Sequence, residues 1–159
     1  MAPGVISVLR PLMMAQAQEC FMAKALLDKR KNSLIARLCA QVAEYYDASH
    51  TSVLTLGEMT KTHPWIGWAR FIRCKAIYYR ALAELYSAMA AREGEMMGVE
   101  VSRLQAAKSL CDDIVKLAKL RNEAVTITID VLQNARTHIV SKLEAADREN
   151  RTLFHEKVG

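Results

Sequence analysis

Chain breakers are scarce in this sequence: 159 residues contain only 6 Gly and 3 Pro. Such residues punctuate chains into turns, so a chain with few of them folds into long regular elements joined by short links. The residues that dominate instead (Ala, Leu, Met, Lys, Arg and Glu) are the good helix formers. Apolar residues recur at steps of three and four, the period of a helix with one buried face. Five segments follow, over about 11–29, 33–49, 64–92, 95–120 and 123–150.

Pro11 suits a first helical turn, where its missing N–H costs nothing, and Asn32 is placed to cap the second helix. Ile35, Leu38, Val42 and Tyr45 form that helix's stripe. The link Arg30-Lys31-Asn32 is so short that the first two helices must pair as an antiparallel hairpin. A loop is expected over 51–63. Pro64 then opens a third helix with the stripe Trp65, Trp68, Ile72, Ala76, Tyr79, Ala83, Tyr86 and Ala90, stopped at Glu93-Gly94. The fourth helix aligns Val101, Leu104, Ala107, Cys111, Ile114 and Ala118, giving a second hairpin. In the fifth, Val125, Ile129, Leu132, Ala135, Ile139, Leu143 and Ala146 keep helical register. The β-branched alternation from Val125 to Val131 reads as a strand on propensity alone, but it has no partner strand and the helical period runs on past it. The fold class is therefore all-α, with antiparallel helical hairpins stacked in a tetratricopeptide-like curved array. No clean repeat of thirty-four residues accompanies it.

A hydrophobic content of 52% with 25% charged residues supports a real core and argues against disorder. The net charge of +5 suits acidic peptides or anionic lipid, yet no Lys/Arg run interleaved with aromatics points to nucleic acid. Cys20, Cys39, Cys74 and Cys111 form no C-x-x-C pair and read as small buried apolar residues of a reducing compartment. No run of eighteen apolar residues predicts a membrane span. The apolar stretch Val5 to Leu9 lacks a preceding basic residue and is interrupted by Arg10 and Pro11, unlike a secretory signal.

No catalytic set emerges. His50, His63, His138 and His155 have no metal-ligand spacing, so neither metal nor cofactor is expected. Cys74 and Arg80 match the bare Cys-x5-Arg spacing of protein tyrosine phosphatases, but that chemistry needs a glycine-rich phosphate cradle at a helix start, and here the pair lies mid-helix among bulky residues. Asp112-Asp113 reads as a solvated surface pair.

The most distinctive stretch is Leu12-Met13-Met14-Ala15-Gln16-Ala17-Gln18-Glu19-Cys20-Phe21. It continues through Lys24, Asp28-Lys29, Leu34-Ile35-Ala36-Arg37-Leu38 and Gln41-Val42-Ala43-Glu44-Tyr45-Tyr46. This resembles the BRO domain family, of the Alix and HD-PTP kind, with the Cys after the AQAQE run and the QVAEYY run leaning to the HD-PTP branch. Lys75 to Tyr79, Arg103 to Ala107 and the tail from Asp147 to Val158 resemble later family blocks in the right order. The resemblance implies a single partial BRO domain over 1–159, the C-terminal portion, without the family's N-terminal half. It implies a non-enzymatic adaptor of the endosomal sorting (ESCRT) pathway, cytoplasmic and recruited to endosomes. The partner implied is the C-terminal amphipathic helix of an ESCRT-III subunit of the charged multivesicular body protein family, with other endosomal adaptors as further partners and at most peripheral membrane contact. By motif position, the implied contact residues are Phe21, Lys24, Leu34, Arg37 and Leu38. Where the family tail has a tyrosine before its histidine, this sequence has Phe154. No phosphatase domain accompanies the resemblance.

The hairpin geometry fits this. With 1.5 Å rise per residue on both arms, Phe21 falls level with Leu38 and Lys24 with Arg37. Leu34 and Leu38 share a face. From the residues alone, Leu34 and Leu38 also fit an ordinary core pair; the resemblance favours a surface patch. A generic helical-hairpin scaffold, or a fragment with impaired binding, is the competing expectation, and a basic surface meeting anionic lipid a third.

Overall fold

The computed structural model describes residues 3–60, 64–118 and 123–159. Helix α1 runs Pro3–Leu27, α2 Asn32–Thr60, α3 Pro64–Glu93, α4 Met97–Ala118 and α5 Glu123–Glu149, followed by a π-helical turn, Asn150–Phe154. No strand occurs among the described residues. Each helix packs chiefly on its neighbours in sequence, α1 on α2, α2 on α3, α3 on α4 and α4 on α5. The result is a row of antiparallel hairpins.

Both hairpin turns are built the same way. At the end of α1, the Arg30 N–H bonds to the Ala25 carbonyl and the Lys29 N–H to the Leu26 carbonyl, each at 3.0 Å. At the end of α3, the Met96 N–H bonds to Ala91 at 2.9 Å and the Glu95 N–H to Arg92 at 3.0 Å. These are Schellman turns, whose pivot residue must take a left-handed conformation. The pivots are Lys29 (φ 49°) and Glu95 (φ 57°), not glycine. The stop at the end of α3 therefore sits one residue beyond Gly94. Asn32 does not cap α2: the Lys31 carbonyl accepts the first helical bond, and the Asn32 amide donates to Glu93 Oε1 at 2.6 Å. That bond ties the start of α2 to the end of α3.

Two further expectations about α1 and α2 are corrected. Helix α1 begins at Pro3, so Pro11 lies inside it. The turn before Pro11 is held by burial, since Val8 and Leu12 sit in the core with Val5 and Leu9 packed against it. The expected loop is helical through Thr60; its last residues, 61–63, lie outside the described ones. The apolar period carries on there through Val53 and Leu56, both buried. The hydroxyls of Thr51, Ser52 and Thr55, which suggest a loop in the sequence, bond back to carbonyls four residues earlier at 3.0–3.1 Å. Helix α4 starts at Met97, two residues later than expected, and α5 covers the β-branched stretch as helix.

Two core clusters meet along α3. One joins α1, α2 and the Ile72, Ala76, Tyr79 and Ala83 face of α3. The other joins Cys74, Ile77, Ala81, Leu85 and Ala88 to Val101, Leu104, Ala107, Cys111 and Ile114 of α4 and Leu132, Ile139 and Ala146 of α5. Helix α3 is thus buried on two sides, and only one of its stripes is the expected one. Trp68, placed in that stripe, is half exposed. The side chains of Trp65, Ala118, Val125 and Ile129 lie outside the described ones.

A polar knot crosses the first cluster. Glu19 of α1 accepts from the Tyr46 hydroxyl at 2.5 Å and from Lys75 Nζ at 3.0 Å. That ammonium also lies 5.7 and 5.5 Å from the ring centres of Tyr46 and Tyr79. Burial first, and Glu19 second, push both phenols well above the usual tyrosine range. Three helices are held in register by this one carboxylate.

Candidate partner-binding face

The register of the α1–α2 hairpin is fixed by two close approaches. A Cβ on Gly4 would stand 2.7 Å from Leu56, and the Ser49 hydroxyl donates to the Val8 carbonyl at 3.3 Å. In this register Phe21 stands opposite Leu38.

Which side of the hairpin each residue faces follows from its neighbours, at about 100° per residue. Asp47 of α2 reaches across to Arg73 at 2.8 Å and to Arg80, so its side of α2 faces α3. Leu34 and Leu38 lie nearly opposite Asp47. Leu38 is aligned with Ser49, the residue that meets α1, and it is partly buried against the core. On α1, Glu19 points inward to Tyr46 and Lys75, and Phe21, two residues on, points away. Phe21 is 65% exposed and Leu34 36% exposed. Phe21, Leu34 and Leu38 therefore share the outer side of the hairpin.

The two cations separate. Arg37 is exposed on the same outer side, between Leu34 and a groove floored by Ala36, Ala40, Ala83 and Ala91. It has no ion-pair partner among the described residues. Lys24 turns to the outer edge of α1 and pairs with Asp28 at 3.4 Å, its side chain 74% exposed. An exposed i,i+4 pair of this kind is weak and holds Lys24 only loosely.

No cluster of three metal-type ligands occurs among the described residues. Cys39, Cys74 and Cys111 are buried; burial pushes the Cys39 thiol up to about 12 and Cys111 to about 11. Cys20 is exposed, contrary to expectation, because it lies on the flank of α1 away from the core. Cys74 is buried and Arg80 is bound to Asp47, so the phosphatase-like spacing forms no site. His50 is held below the usual histidine range by burial and by Arg73, against an opposing pull from Asp47. Asp112 is not simply solvated: it binds Lys108 at 2.9 Å and Arg136 at 2.8 Å, joining α4 to α5. No described helix is long and apolar enough to cross a membrane.

A row of antiparallel helical hairpins, each packed on the next, defines the chain as an all-α hairpin array. The sequence model of the BRO1-like domain family matches residues 1–159, and the chain belongs to that family. It is similar to the rat tyrosine-protein phosphatase non-receptor type 23, 33% identical over 153 residues, covering 92% of this chain and 10% of that protein. It is also similar to the ALG-2 interacting protein X of Dictyostelium discoideum, 30% identical, covering 96% of this chain and 19% of that protein. A solved ALIX BRO1–CHMP4C complex superposes with a TM-score of 0.83 at 26% identity, covering 99% of this chain and 40% of that one. The chain thus spans a minor part of each of these relatives.

Proposed function

We propose that this chain is part of a BRO domain, its C-terminal portion, acting as a non-catalytic adaptor segment of the ESCRT pathway. It takes the C-terminal amphipathic helix of an ESCRT-III subunit on the outer side of the α1–α2 hairpin, and works in the cytoplasm at endosomes. Phe21, Leu34 and Leu38 are the apolar contacts, Arg37 and Lys24 the cations for acidic flanks.

The observation that carries this is Phe21, a large aromatic side chain 65% exposed on the same side as Leu34 and Leu38. Folding gains little from it there, whereas a partner would gain about 1.5–3 kcal/mol on burying it. The kinship with a BRO1 chain solved with CHMP4C supports the choice of partner. Phe21→Asp and Leu38→Asp test it against a labelled ESCRT-III tail peptide. Both should abolish binding. Phe21→Asp should leave helical circular dichroism unchanged, while Leu38→Asp costs stability because Leu38 also packs against the core. Unchanged binding in a folded Phe21→Asp variant would remove the patch.

A second reading rests on the rest of α1. Ile6, Met13 and Leu27 are also exposed large apolar residues, so this helix is suited to cover by further helices or a second copy. Light scattering that finds a concentration-dependent dimer would favour it.

A further inference from the structure

The exposed apolar row on the hairpin does not end at Phe21. Met14 lies two turns earlier on the same side of α1 and is 47% exposed. In the register set by Gly4–Leu56 and Val8–Ser49, Met14 stands opposite Tyr45. Tyr45 shares the outer side of α2 with Leu38, and it too is partly buried against the core. Between the two apolar groups lie Gln18 on α1 and Gln41 on α2, and Gln41 donates to Glu44 at 3.0 Å. Arg10, aligned with Met14 and Phe21, has no ion pair among the described residues.

Resting on the proposed function, we infer that the recognition face is bipartite and runs about three helical turns: a first apolar group at Phe21, Leu34 and Leu38, a polar step at Gln18 and Gln41, and a second apolar group at Met14 and Tyr45. From Leu34 to Tyr45 the row is about 16 Å long. The occupant is an ESCRT-III amphipathic helix with a constrained pattern. Its central apolar anchor sits on Phe21 and Leu38. A second apolar residue, seven positions away, sits on Met14 and Tyr45. A residue able to hydrogen-bond lies between them, since an apolar one there would strip water from two amides without replacing it. Arg37 beside the first group and Arg10 beyond the second favour acidic residues there, while the Glu44 carboxylate is held by Gln41.

The experiment uses the full chain and a labelled ESCRT-III tail peptide in an anisotropy titration, with four proteins: the unaltered chain, Phe21→Asp, Met14→Glu and Met13→Glu. Met13 is 60% exposed but points to a different side of α1, so it controls for charge and exposure. Met14→Glu should bind about tenfold more weakly, the scale of one lost apolar anchor, and Met13→Glu should match the unaltered chain. A peptide with Ala at the anchor seven residues from the central one should lose the same factor on the unaltered chain and bind Met14→Glu no more weakly than the parent peptide does. If Phe21→Asp abolishes binding while Met14→Glu and Met13→Glu both stay within about twofold of the unaltered chain, the face ends at the first group and the extension is wrong. If Phe21→Asp also binds normally, the proposed function falls and the extension with it.

Discussion

The two hairpins share one turn geometry and differ in what they leave outside. The α1–α2 hairpin exposes Ile6, Met13, Met14, Phe21, Leu26, Leu27, Leu34 and Leu54. The α3–α4 hairpin, among its described residues, exposes Trp68, Met96 and Val99, and it is stitched to its surroundings instead. Arg92 of α3 binds Glu100 at 2.8 Å and Glu149 at 2.7 Å. Near the same end of α4, the buried Asn150 amide holds the Glu156 backbone at both its N–H and its carbonyl, each at 3.0 Å. The Glu156 carboxylate accepts from the Gly98 N–H at 2.7 Å, an anion at a helix start. Among the described residues, the first hairpin thus leaves more large apolar side chains exposed than the second. Surplus apolar surface on one side of a stable scaffold is what partner binding needs.

That contrast can be broken from the core side first. Leu104, almost fully buried in the second cluster, should cost about 2–5 kcal/mol on truncation to Ala, whereas Leu27→Ala, at 83% exposure, should leave chemical denaturation within about 0.5 kcal/mol. Similar losses at both sites would mean the first hairpin's exposed residues serve the fold. Next in size is the strap at the second hairpin. A Cβ on Gly98 would meet the Lys157 carbonyl oxygen at 2.2 Å, so Gly98→Ala must displace backbone. Faster amide exchange at Glu156, with little change at Ile35 on the first hairpin, is the expected result.

Smaller still is the Asp112 bridge between α4 and α5. Hydrogen bonds from Lys108 and Arg136 hold its carboxyl below the usual carboxylate range. A depressed native value means the bridge adds stability above the unfolded value of about 3.9, and that stability is lost as pH falls through the lower native value. Asp112→Asn should therefore lower the melting temperature modestly at pH 7, and the gap should close in strong acid. Last come the pivots. Lys29→Gly and Glu95→Gly relieve a left-handed strain of roughly 1–2 kcal/mol against a glycine entropy cost of roughly 0.5–1 kcal/mol, so each should stabilise modestly, with no difference expected between the hairpins.

Much of this was readable in the sequence, for reasons that also explain the failures. Five helices show in the three–four periodicity because most of them bury a single stripe. Helix α3 buries two, so Cys74, Ile77 and Leu85 gave no separate signal beside Ile72 and Tyr79. The loop expected over 51–63 is mostly helix because Thr51, Ser52 and Thr55 bond back to carbonyls four residues earlier, which local sequence does not reveal. Lys29 and Glu95 carry turn conformations that sequence rules assign to glycine. At the candidate face, Phe21 and Leu34 were proposed from the family resemblance, and both stand exposed. The separation of Lys24 from Arg37, and the alignment of Met14 with Phe21, depend on which side of α1 faces α3, and Glu19 reveals that only in three dimensions.

The central claim is that the first hairpin's outer side is a binding surface and not spare core. Its most direct test is the affinity of an ESCRT-III tail peptide for the unaltered chain and for Phe21→Asp, with circular dichroism recorded on the same samples. Binding to the unaltered chain, its loss in the variant, and identical spectra are predicted. Equal affinity for both folded proteins, or no affinity for either, would contradict the account.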